Sequence, residues 1–158
     1  LRLDEAPSEL TKARQAAFRK SEELAEAKRY YEEYTGELDE ESRSYYPSWK
    51  QLLRDNPIEV GTWLDPQGQA RFVQLHFGPE HTECGDPSPD IDALDEVREG
   101  EFVATERAAP PDSIIDVDLD GSFEFLYVTS DADYSGWLDF AEGEDRHAMI
   151  DADFYCPC

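Results

Sequence analysis

The chain has 158 residues, a length that suits one domain around one hydrophobic core. Fourteen basic and 38 acidic side chains give a net charge of −24. That balance argues against direct nucleic-acid binding, because phosphates are neutralised by lysine and arginine. Eight Tyr, eight Phe and three Trp are too many aromatics for a disordered acidic tail, so a folded domain is expected.

The charge is lopsided. Residues 1–80 carry 11 basic and 16 acidic side chains, whereas residues 81–158 carry 3 and 22. The second half repels itself unless divalent cations, high salt or a basic partner offset the charge. No stretch reads as a signal peptide or approaches the roughly 20 apolar residues of a membrane span.

Residues 7–35 read as one long amphipathic helix, with Pro7 in the first turn and Gly36 as a stop. Leu10, Ala13, Ala17, Lys20, Leu24, Ala27, Tyr31 and Tyr34 recur at spacings of three and four and define its seam. Tyr30, Tyr31, Tyr34, Tyr45, Tyr46 and Trp49 form an aromatic group expected where helix meets sheet. An acidic connection spans 36–47, and a short helix capped by Ser48 follows to Asp55. Residues 58–64 and 69–77 predict a hairpin closed by Asp65-Pro66-Gln67-Gly68. Residues 78–100 read as a long loop with one helical turn near 91–98. Residues 101–105, 113–117, 122–129 and 136–140 read as short strands, and 142–150 as a final short helix. The expected class is α+β: a single domain, 1–158, with the long helix packed on a small antiparallel sheet and a loop-rich acidic C-terminal half.

The most specific local pattern is residues 131–142, Asp-Ala-Asp-Tyr-Ser-Gly-Trp-Leu-Asp-Phe-Ala-Glu. It resembles the calcium loop of the EF-hand family over these twelve residues. The resemblance implies ligands from Asp131, Asp133 and Ser135, the Trp137 carbonyl, Asp139 directly or through water, and a bidentate Glu142, with Gly136 at the sharp turn. Ca²⁺ is therefore the expected cofactor. A second acidic run, Asp116-Val-Asp118-Leu-Asp120-Gly-Ser-Phe-Glu124, offers four carboxylates around Gly121. Two acidic turns at opposite ends of the strand 122–129 fit better than a paired EF-hand, because 15 residues between loop starts cannot hold two helices.

The cysteines are Cys84, Cys156 and Cys158. A disulfide from Cys84 to either C-terminal cysteine would tie down the tail and favour an oxidising compartment. The third thiol would then be free or intermolecular, and three reduced thiols in a cytosolic protein are the plain alternative. His76, His81 and Cys84 could join the distant Cys156 and Cys158 in a zinc site, although their spacing matches no common zinc module. Nothing marks a nucleophile, a catalytic pair or a phosphate loop, so no catalytic residues are assigned and a non-enzymatic role is expected.

The layout of N-terminal helix, hairpin, acidic loops and C-terminal cysteines, with Pro7, Thr11-x-Ala13-Arg14 and Ser21-Glu22, resembles the globular part of type IV pilins and pseudopilins. That resemblance implies an extracytoplasmic, self-assembling or surface protein. Three functions follow from the sequence: a calcium-stabilised structural or interaction module, an intracellular acidic inhibitor covering a basic partner in the manner of immunity proteins or DNA mimics, and salt adaptation in a halophile's cytoplasm. The expected partner is a protein or a further copy of the chain.

Overall fold

The computed structural model describes residues 1–79, 87–105, 110–116, 119–128, 135–139 and 147–151. Its N-terminal periodic run is two helices rather than one: α1 spans Glu9–Phe18 and α2 spans Glu22–Glu37. The expected long helix is corrected by local capping chemistry. Ser8 opens α1 with a capping box, its Oγ accepting the Thr11 N–H while Thr11 Oγ1 accepts the Ser8 N–H. The chain then stops at Arg19, and Ser21 opens a new helix by accepting the Leu24 N–H, with Glu22 and Glu23 favourably placed at its positive N-terminal end. A four-residue helix, α3 (Glu40–Arg43), interrupts the acidic connection, and α4 (Trp49–Asp55) starts at Ser48 as expected.

The remaining elements are strands. A five-stranded antiparallel sheet runs in the order β1 (Arg2–Asp4), β2 (Glu59–Leu64), β3 (Ala70–Phe77), β4 (Ile91–Arg98), β5 (Glu101–Ala104). A second antiparallel sheet holds β6 (Ser113–Ile115), β7 (Glu124–Val128), β8 (Ser135–Asp139) and β9 (His147–Asp151). The predicted hairpin is present as β2 and β3. Two other expectations are corrected. Residues 91–98 are a strand, not a helical turn, and 147–151 are a strand where a short helix was expected. The first has a clear cause. Glu99 and Gly100 both have positive φ, 52° and 85°, and form the two-residue turn that joins Arg98 to its partner Glu101. Pairing with β3 and β5 then overrides the helical preference of Ala93, Leu94 and Glu96.

The five-stranded sheet is covered on both faces. Helices bring Phe18, Leu24, Tyr31 and Leu52 onto Leu75 and Phe77, with Val60, Ile91 and Ala93 alongside. Phe18 and Phe77 have ring centroids 6.0 Å apart, and the Tyr31 hydroxyl donates to the Pro47 carbonyl at 2.7 Å. On this same face Arg14 of α1 pairs with Asp95 of β4, with side-chain exposures of 11% and 7%. The opposite face carries Trp63, Phe72 and Leu94 against Ile114, Phe125 and Tyr127 of the second sheet. Phe72 meets Phe125 edge-on at 5.3 Å. Strand alternation explains the division, since successive residues of a strand face opposite sides. Among the described residues no helix is long and apolar enough to cross a membrane.

Candidate metal centres

The acidic turn after β6 is organised by its first carboxylate. Asp116 Oδ1 accepts the N–H of Asp120, and Oδ2 accepts the N–H of Gly121, both at 3.1 Å. Asp120 Oδ1 accepts the Ser122 N–H at 2.7 Å. The bend needs left-handed backbone at Leu119 (φ 62°) and Gly121 (φ 92°), which glycine adopts freely and leucine does not. A carboxylate has about four acceptor directions, so two backbone bonds leave Asp116 able to take a cation. Glu124 lies apart in burial. It opens β7 and is 4% exposed, whereas Asp120 is exposed. Asp118 lies outside the described residues.

Of the ligands expected in 131–142, the backbone of Ser135, Trp137 and Asp139 belongs to β8, whose register pairs Trp137 with Tyr127 and Met149. Gly136 lies within the same strand, opposite Val128 and Ile150. Asp131, Asp133 and Glu142 lie outside the described residues, as do Cys84, Cys156, Cys158 and His81. The disulfide and the Cys/His zinc constellation therefore fall there too.

The structure brings together a group that sequence reasoning missed. His76, Asp90 and Asp92 each offer one ligand atom, all within 4.8 Å of one another. His76 Nδ1 lies 3.0 Å from Asp92 Oδ1 and 3.8 Å from Asp90 Oδ1. The side chains of His76, Asp90 and Asp92 are 32%, 57% and 30% exposed. Among the described residues this is the group of three that meets such a distance.

Three local features build it. Pairing of β3 with β4 sets His76 opposite Asp92. Pairing of β2 with β3 sets Glu59 opposite His76, so Glu59, His76 and Asp92 form one row across three strands. Directly opposed side chains on one face of such a pair have Cβ atoms about 4.5–5.5 Å apart. Asp90 is drawn in because Gly78 has no side chain. A Cβ there would fall on the Pro89 carbonyl oxygen and 3.1 Å from the Asp90 Cα. A cleft of about 550 Å³ opens beside this row, bordered by Glu59, Gly61, Gln74 and His76 on the sheet and by Lys12 and Gln15 of α1.

The sequence alone groups His76 with His81 and Cys84. Its actual neighbours follow from strand register, which becomes readable once 91–98 is recognised as a strand. No family model, curated protein or solved structure matches the chain.

Proposed function

We propose that the chain is a non-catalytic acidic module whose C-terminal carboxylate turns bind Ca²⁺ and whose folded state is strengthened by it. The observation that carries this reading is the Asp116 carboxylate, which accepts the backbone N–H groups of Asp120 and Gly121 and so draws the far end of the acidic run back to its start. Calcium takes six to eight oxygens, and turns of alternating aspartates supply them without demanding rigid geometry. A cation there also relieves the crowding of 22 carboxylates in residues 81–158. Such a module belongs outside the cytoplasm, as a surface or self-assembling subunit of pilin-like type.

Thermal unfolding in EDTA, CaCl₂ and MgCl₂ tests this. Calcium at a hundred times its dissociation constant contributes about 2.7 kcal/mol, which is roughly 5–10 °C in midpoint for a chain of this length. Asp116→Asn and Glu142→Gln should each reduce the shift, and Mg²⁺ should not reproduce it. Coincident curves in EDTA and CaCl₂ would sink the proposal.

A second reading, an acidic protein that covers a basic partner, draws support from one surface. Tyr30 and Tyr45 are 62% and 78% exposed on the glutamate-rich helical side of the molecule. Exposed tyrosine beside carboxylates suits Lys and Arg side chains. Coincident unfolding curves would move this reading to the front.

A further inference from the structure

We propose that His76, Asp90 and Asp92 form a binding site for a divalent transition-metal ion of the zinc class, at the end of the central sheet and open to the cleft beside β2. The site is separate from the acidic turns of the second sheet and needs neither their residues nor calcium.

The donor set selects the ion. Calcium and magnesium are hard cations that take oxygen ligands. An imidazole nitrogen joined to carboxylates suits Zn²⁺ and its neighbours in the first transition row. The spacing agrees. Ligand atoms at about 2.0–2.1 Å from a tetrahedral zinc lie roughly 3.3 Å from one another. The two His76-to-carboxylate distances, 3.0 and 3.8 Å, bracket that edge. The third separation, between the two carboxylates, is no more than 4.8 Å.

Charge and access agree as well. Two carboxylates flank the imidazole, in a chain whose net charge of −24 already attracts cations. Glu59, facing His76 across the β2–β3 pair, is placed to supply a fourth ligand. His76 and Glu59 also border the 550 Å³ cleft, so a metal held between them would keep a face toward solvent or toward an added ligand. The hydrophobic cluster that joins the two sheets engages Trp63, Phe72 and Leu94. Glu59, His76 and Asp92 are not members of that cluster, and His76 and Asp92 keep about a third of their side-chain surface exposed.

The experiment is calorimetric titration of ZnCl₂ into the full chain, with free thiols alkylated by iodoacetamide and with excess CaCl₂ present. Thiols and acidic turns then do not compete for zinc. The expected result is one equivalent of zinc, with His76→Gln and Asp92→Asn each binding at least tenfold more weakly. Loss of a mere outer partner of a zinc ligand already costs about 10–100-fold. Glu59→Gln should weaken binding less, and Asp116→Asn should leave the zinc isotherm unchanged. That last variant separates this site from the calcium turns, whichever way the calcium experiment comes out. Circular dichroism establishes that each variant is folded. If His76→Gln is not, Asp90→Asn decides, since its side chain is more than half exposed. No zinc binding by the parent chain, or undiminished binding by folded variants of the triad, overturns the proposal.

Discussion

Asp95→Ala is expected to lower folding stability by about 3–5 kcal/mol, the range found when one member of a buried ion pair is removed. The reason lies in what is left behind. Arg14 and Asp95 connect α1 to the middle of β4 and are both almost fully withdrawn from water. The Arg14 guanidinium also lies over the Phe102 ring, 5.9 Å from its centroid. Without Asp95 the guanidinium stays charged, cut off from solvent and without its carboxylate. Replacing both members with apolar residues, as in Arg14→Met with Asp95→Leu, should recover much of the loss, because the pair's own attraction is largely cancelled by desolvation. Urea unfolding of the parent, both single variants and the double variant forms the cycle that measures this. A single variant that loses less than about 1 kcal/mol would show that the pair is solvated and carries little.

Phe18→Ala should cost a similar amount, about 3–5 kcal/mol, since a fully buried phenylalanine leaves both lost transfer energy and a cavity. Phe18 is wholly buried and packs against Phe77, the rings tilted by 58°, at the point where α1 ends. Lys20→Ala, two residues on and exposed, should stay within about 0.5 kcal/mol of the parent. The comparison separates the observed helix pair from a single continuous helix. On the continuous seam Lys20 is a core-facing position and Phe18 is not. Chemical unfolding of the two variants is enough to tell the arrangements apart.

The phase of that seam shows what was legible in the sequence. The spacing Leu24, Ala27, Tyr31, Tyr34 describes the inner side of α2 correctly, with Leu24 and Tyr31 buried. Carried back into α1 it fails, because Ala13 and Ala17 are exposed. The inner side of α1 is Thr11, Arg14, Gln15 and Phe18. Three of those four are polar, and each is occupied. Thr11 closes the capping box, Arg14 meets Asp95, and the Gln15 amide donates to the Ile58 carbonyl at 2.8 Å. Hydrophobic periodicity cannot register a helix face that is buried through polar contacts. The break at Arg19 shifts the phase between the two helices, and Ser21 followed by Glu22 and Glu23 was the capping signal that marked it.

The hairpin of β2 and β3 was readable for the opposite reason, since its alternation and its turn chemistry agree. The strand at Ile91–Arg98 was obscured because its residues favour a helix in isolation and become a strand only between two neighbours. The candidate metal triad was hidden with it. Asp90 and Asp92 lie 14 and 16 residues from His76 along the chain, and only the register of β3 with β4 makes them neighbours. The turn at Asp116 involves only near neighbours, because Asp116, Asp120 and Gly121 lie within six residues and the Asp116 carboxylate accepts the other two N–H groups.

The contact of Gly78 with Pro89 and Asp90 ties the end of β3 to the start of β4. The polypeptide leaves β3 and returns to β4 through a gate only as wide as a glycine backbone. Pairing of the two strands already holds the ends of the intervening segment together. A single methyl group at position 78 would collide with the Pro89 carbonyl and push Asp90 away from His76. The carboxylate that completes the triad is thus held by a residue that has no side chain of its own.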